Sequence, residues 1–152
     1  MRAVLQRVTA ASVRVNNKLT GAINLGLLVL LGVEHADTKQ DADYLVNKIL
    51  GLRIFRDDSD KMNLSVVDVH GALLVVSQFT LYADCRKGMR PSFDRAAPSE
   101  LAKDMYEYFV TQARNRGIPI ETGAFQASME VSLVNDGPVT VICESVRLTQ
   151  SE

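Results

Sequence analysis

The sequence predicts an α+β fold, a curved, barrel-like β-sheet with two main helices packed on it. Three observations carry this expectation. Strand-like segments, alternating or continuously apolar, occupy both ends of the chain and the stretches between the helices. Only two stretches, after Asp37 and after Ser99, have helical periodicity. The resulting order is strands, helix, strand, helix, strands, and 152 residues are expected to form one domain, 1–152.

The first strand is expected from Ala3 to Val15, where β-branched residues roughly alternate with polar ones, and Asn16-Asn17 is a turn signal. A short strand around Leu19 to Ile23 follows. Leu27 to Gly32 is an uninterrupted apolar run, the pattern of a strand buried on both faces. The first helix is expected to begin near Asp37, with Asp37 as cap and Gln40 completing a capping-box-like pair. Ala42, Leu45, Val46, Ile49 and Leu50 then form its apolar stripe. Residues 57 to 61 read as a polar turn, and Ala72 to Leu81 as another buried strand. The second helix is expected from Ser99 to Arg116. Ser99 would be its N-cap, Leu101, Met105, Tyr108, Phe109 and Gln112 its shared face, and Gly117 its stop. Ala127, Met129, Val131 and Leu133 alternate with Ser128, Glu130 and Ser132, the clearest strand pattern in the chain. Asn135 to Pro138 reads as a tight turn before a last strand, Val139 to Cys143.

Composition narrows the functional classes. Hydrophobic residues make up 47% and charged residues 23%, ordinary for a globular protein. The longest apolar run, Leu25 to Val33, is too short to span a bilayer, so no membrane role is expected. The start of the chain lacks a signal-peptide layout, and the expected compartment is the cytoplasm. Cys85 and Cys143 lack CxxC spacing and are expected as free thiols. His35 and His70 are the only histidines and sit in no metal-ligand pattern, so neither a metal nor another cofactor is expected. The net charge of −1 does not advertise a polyanion partner. One local basic loop stands out: Arg86, Lys87, Arg90 and Arg95 against the single acid Asp94. It is either a solvated surface loop or a phosphate-contacting patch.

Two segments carry possible chemistry. Leu73, Leu74, Val75 and Val76 run directly into Ser77-Gln78-Phe79-Thr80-Leu81. Polar groups closing a buried strand are costly unless paired, so they satisfy local backbone groups or line a pocket where a ligand completes the pairing. The second segment is Gly137-Pro138. It is either an ordinary hairpin connection or a turn presenting backbone acceptors to a ligand without any side chain.

These segments resemble the D-aminoacyl-tRNA deacylase family. The match spans nearly the whole chain. It includes Gln6-Arg7-Val8, Ala11-Ser12-Val13, Gly26 through Val33, Arg53-Ile54-Phe55 and Lys61-Met62-Asn63-Leu64. The most specific pieces are Val76-Ser77-Gln78-Phe79-Thr80-Leu81, Gly88-Met89-Arg90-Pro91-Ser92-Phe93, and Val131 through Thr140. The departures are small: Gln126 and Ser128 stand where smaller or apolar residues are commoner, and Val141 lies where an aromatic is frequent nearby.

The resemblance implies a homodimer acting on aminoacyl-tRNA. It places Gln78, Phe79 and Thr80 in the catalytic site and Ser77 beside them, in a pocket for the terminal adenosine. Phe125 and Met129 would shape that pocket, although the alternation also allows plain core packing for Met129. The family's Gly-Pro pair is cis and enters the partner's active site; here it would be Gly137-Pro138. The implied reaction is hydrolysis of the ester joining a D-amino acid, and by extension glycine, to the terminal ribose. With only His35 and His70 available, neither in a resembling motif, a triad centred on Thr80 is a poor fit. The alternative is water activated by the substrate's own 2′-hydroxyl, with backbone N–H groups near Phe79 and Thr80 facing the oxyanion. Arg86, Lys87 and Arg90 would hold phosphates of the acceptor end.

Three rivals stand beside this reading. The first is a nucleic-acid-binding module without catalysis, against which the short segment after the last strand weighs. The second is an acyl hydrolase with Thr80 as covalent nucleophile. The third is a related deacylase of altered chiral choice, which SQFTL and NDGPVT argue against.

Overall fold

The computed structural model describes residues 1–145. Its main sheet has the strand order β2-β1-β3-β6-β7, with β8 on the remaining side of β1. Here β1 is Arg2–Val15, β2 Lys18–Ile23, β3 Gly26–Gly32, β6 Ala72–Ser77, β7 Ile120–Thr122 and β8 Glu130–Glu144. A separate hairpin pairs β4 (Phe55–Arg56) with β5 (Met62–Leu64) across the polar 57–61 turn.

The sheet is mixed. β1 runs antiparallel to β2, β3 and β8. β3, β6 and β7 are mutually parallel neighbours. Parallel neighbours need long crossovers. The two helices provide them, α1 (Lys39–Gly51) between β3 and β6, and α2 (Ser99–Asn115) between β6 and β7. The expected α+β architecture is therefore the observed one, a curved, nearly closed sheet with two helices against it. Among the described residues no helix is long and apolar enough to cross a membrane.

β3 and β6 are buried on both faces, as their continuous apolar runs predict. Leu27, Val29, Leu31, Leu73 and Val75 join a core with Leu45 and Ile49 of α1 and Phe109 of α2. Leu28, Leu74 and Val76 face the opposite way, into a smaller cluster with Val8, Val13 and Ile23.

Several local expectations are corrected. The cap of α1 is Thr38, not Asp37: the Thr38 N–H donates to Asp41 Oδ2 at 2.8 Å, and Gln40 takes no part. Asp37 instead accepts from the buried Met1 ammonium at 2.5 Å. Ser99 is the first residue of α2 rather than its cap, which is Pro98. The buried face of α2 is Met105, Tyr106, Phe109, Val110 and Ala113. Tyr108 and Gln112 lie at its margin, because the stripe turns towards the core shared with α1. The sixth strand stops at Ser77, and Phe79–Tyr82 forms a 3-10 helix. Ala127 stands in a turn, its N–H bonded to Ala124 O at 3.2 Å, and not in a strand.

The largest correction concerns Asn135 to Pro138. They do not turn the chain. β8 is one strand that pairs with β1 along both halves, from Arg14↔Glu130 to Arg2↔Glu144. Gln6 faces Thr140 and Val8 faces Asn135, so Asp136, Gly137, Pro138 and Val139 bulge out opposite Arg7 alone.

Candidate active site

The end of β6 and the start of the 3-10 helix form the floor of a cavity of about 560 Å³. Val76, Ser77, Gln78 and Phe79 contribute this floor. Ala96, Ala97, Ser99 and Ala102, before and in the first turn of α2, form one wall, and Phe125, Gln126, Ala127, Met129 and Val131 supply another. The volume lies within the range of small-molecule sites, and a few polar groups in an apolar lining are typical of them.

The polar residues close β6 for a local reason. Gln78 N–H extends the parallel ladder to Leu31 O at 2.8 Å, and its carbonyl accepts the Leu81 N–H at 3.2 Å, which starts the 3-10 turn. The first residues of such a turn have no intrahelical acceptor for their N–H groups. Phe79 and Thr80 hold those positions. The Gln78 side chain donates to Thr80 Oγ1. Thr80 is exposed and just outside the cavity lining. Among the described residues no histidine or carboxylate bonds its hydroxyl. His35 and His70 both lie outside the lining, and His35 Nε2 is engaged with Asp94 O at 3.0 Å.

Aromatic and sulfur side chains shape the walls. Phe79 is 55% exposed and meets Phe93 edge-on, with ring centres 5.1 Å apart. Phe125 packs on Tyr106 at 5.9 Å. Tyr106 in turn donates to Val75 O at 2.8 Å, and burial pushes its hydroxyl up to about 12. Met129 lines the cavity and also packs against the smaller core cluster. A Cβ on Gly123 would stand 2.6 Å from Met129 Sδ, so the glycine makes room for the thioether.

The structure brings Ser77, Gln78, Phe79, Phe125 and Met129 to one cavity, with Thr80 attached through Gln78. Gly137 and Pro138 are absent from that lining. Their peptide bond is cis, and both residues are exposed. Arg7, 1% exposed, secures their bulge. Its Nε donates to Asp136 O at 3.1 Å, and its Nη1 donates to Ile54 O at 2.7 Å. Val139 N–H donates to Asn135 Oδ1 at 2.9 Å and closes the bulge from the other side. Arg7 carries no role in the sequence reading beyond its motif. Its signal was an arginine in phase with the inward Ala3 and Leu5.

The basic loop is split in character. Arg86 is held by Asp84 at 2.6 Å, and this hydrogen bond draws the Asp84 carboxyl down to about 2. Arg95 pairs with Glu34 at 3.0 Å. Lys87 and Arg90 are exposed beside Met89 and make no ion pair among the described residues. Nor is there, among those residues, a cluster of three or more His, Cys, Asp or Glu suited to a metal. Cys85 and Cys143 are both free thiols.

Comparison with known proteins identifies the family. The family described as D-Tyr-tRNA(Tyr) deacylase matches residues 4–144. A D-aminoacyl-tRNA deacylase of Koribacter versatilis (strain Ellin345) is 63% identical over 145 residues, covering 95% of this chain and 97% of that protein. One of Desulfatibacillum aliphaticivorans is also 63% identical, over 95% of this chain and 99% of its own. Among solved structures, the c-Myc DNA Unwinding Element Binding Protein superposes with a TM-score of 0.92 at 45% identity, covering 97% of this chain and 100% of its own. The chain belongs to the D-Tyr-tRNA(Tyr) deacylase family and is a hydrolase of that family.

Proposed function

We propose that the chain hydrolyses the ester of D-aminoacyl-tRNA, releasing free tRNA and the D-amino acid, and so proofreads handedness in translation. The observation that carries this is the cavity at the end of β6, where Ser77, Gln78 and Phe79 meet Phe125 and Met129 in a chain of this family. The exposed Phe79 ring offers a nucleobase a stacking face. The adjoining polar groups suit a ribose and its ester. Loss of ester from D-tyrosyl-tRNA on addition of the purified protein tests the activity; no loss would remove it.

The chemistry fits water activated on the substrate. Among the described residues Thr80 has no base bonded to its hydroxyl, and an unassisted alcohol is a weak nucleophile at neutral pH. The N–H groups of Phe79 and Thr80, at the start of the 3-10 turn, suit the developing oxyanion. The neighbouring ribose 2′-hydroxyl orients the water. Replacing the terminal adenosine with its 2′-deoxy form should slow hydrolysis sharply, and an equal rate would contradict this route.

Handedness is assigned to main-chain atoms of the Gly137-Pro138 bulge. A rigid wall of carbonyl oxygens near the substrate Cα admits hydrogen and excludes carbon, so it selects by clash. The bulge lies outside its own chain's cavity and would serve a second copy. Two observations support a homodimer. β8 pairs only with β1 among the described residues, leaving a long free edge. Val134 and Ile142 on β8 are 58% and 66% exposed. Glycine has hydrogen on both sides of Cα, so glycyl-tRNA should also be hydrolysed. Lys87 and Arg90, exposed and without an ion pair among the described residues, would meet phosphates, with Arg86 restrained by Asp84. Hydrolysis of charged tRNA by a chain with this architecture is expected in the cytoplasm.

A further inference from the structure

Gln126 is a residue that the proposed reaction does not use, yet its backbone is unusual. It holds φ +61, a conformation that glycine adopts freely and L side chains rarely do. It lines the cavity, and its Nε2 donates to Ser99 Oγ at 2.6 Å. Ser99 lines the same cavity from the opposite wall, at the first residue of α2. The bond therefore crosses from one wall to the other. Residues 123–129 are also tied down at Gly123 N–H to Val75 O, at 3.3 Å, by the Phe125 ring against Tyr106 of α2, and by Met129 against the smaller core cluster. The Gln126 bridge adds a second tie to α2, nearly two turns before Tyr106.

We infer that Gln126 is a positioning residue: its side chain braces the 123–129 segment against the start of α2 and holds Phe125 and Met129 at the width that the occupant of the cavity requires. A bond between exposed groups competes with water and adds little to global stability. Its effect is local: it limits how freely the 123–129 segment opens, and it counts most when an occupant displaces that water and the walls must stay in place. The bridge gives the side chain a use at a position where glycine would sit without strain.

The inference rests on the reading of this cavity as the deacylation site, and two measurements separate the two. The first is backbone amide exchange over residues 123–129 in the substrate-free protein. Gln126→Gly, Gln126→Ala and Ser99→Ala should each speed exchange there, while exchange in the β3 and β6 core stays unchanged. The second is steady-state hydrolysis of D-tyrosyl-tRNA. Each single variant should raise KM by about three- to tenfold, the value of one neutral hydrogen bond, with kcat nearly unchanged. Gln126→Ala combined with Ser99→Ala should raise KM no further than the larger single effect, because both remove the same bond. Gln126→Gly should melt no lower than wild type, which a merely structural role would not give. Unchanged exchange and unchanged KM in an active protein would overturn the inference, as would single effects that multiply in the double variant. Faster loop exchange in a protein that hydrolyses no aminoacyl-tRNA would instead refute the functional reading and leave the brace standing.

Discussion

Gly137→Ala places the smallest possible side chain on the bulge that is proposed to judge handedness. The backbone there has φ +133, outside the range of L residues. Holding a non-glycine residue in such a region costs about 1–3 kcal/mol. The added Cβ would also stand 2.8 Å from Val139 Cγ2, 3.0 Å from Val139 N and 3.1 Å from Arg7 Nη2. None of these neighbours yields easily. Val139 is β-branched and 9% exposed, and its N–H is bonded to Asn135. Arg7 is 1% exposed and fixed by two carbonyls. Crowding raises the total to about 2–4 kcal/mol. For a chain of this size that corresponds to a melting temperature lower by roughly 5–15 °C. Thermal unfolding measures this, and an unchanged midpoint would refute the steric reasoning. At temperatures where the variant stays folded, the shifted carbonyls should admit L-substrates, so the ratio of L- to D-tyrosyl-tRNA hydrolysis should rise. A ratio held at the wild-type value in a destabilised variant would remove the bulge from chiral selection.

Other expectations follow from named contacts. Asp37→Asn removes the carboxylate paired with the buried Met1 ammonium at 2.5 Å, leaving the more distant charge of Asp41 to offset it, and should cost up to about 3–5 kcal/mol in urea unfolding. Gly123→Ala should push Met129 Sδ, 2.6 Å from the new Cβ, into the cavity. It should raise KM for D-tyrosyl-tRNA while costing less than about 1.5 kcal/mol, since a thioether adapts readily. Asp84 has its folded pKa lowered from 3.8 to about 2 by Arg86. Its pairing is therefore complete above the ordinary carboxylate range and lost as pH falls through about 2. A carboxyl-carbon NMR titration of Asp84 reads this directly, and a midpoint at the ordinary value would show the pair unformed in solution.

Patterns that depend on one element's own surroundings were legible in the sequence. The apolar runs of β3 and β6, the stripe of α1 and the alternation of Val131 and Leu133 each report which face is buried. Their period survives any tertiary arrangement. The floor of the site was legible too, because Ser-Gln-x-Thr at the end of an apolar strand demands partners. Features decided by distant residues were not legible. Asn-Asp-Gly-Pro has the composition of a turn, yet fourteen-residue β1 runs alongside both flanks and keeps them in one strand. Arg7, far away in sequence, supplies the bonds that a turn would have made internally. β7 has three residues, too few for an alternation to register, and exists because β6 offers it a parallel edge. Asp37 looked like a cap because its type suits one; the buried ammonium claims it instead. The wall opposite the floor, Ala96, Ala97 and Ala102, consists of small residues that carry no chemical signal.

The measurement closest to the centre of this account is the pair of ester-loss time courses for D-tyrosyl-tRNA and L-tyrosyl-tRNA, taken on one preparation at equal enzyme concentration. The account predicts rapid loss from the D-ester, with the L-ester decaying no faster than in buffer. Equal rates for both hands would contradict it, because carbonyl oxygens that exclude carbon on one side of Cα cannot treat the two alike.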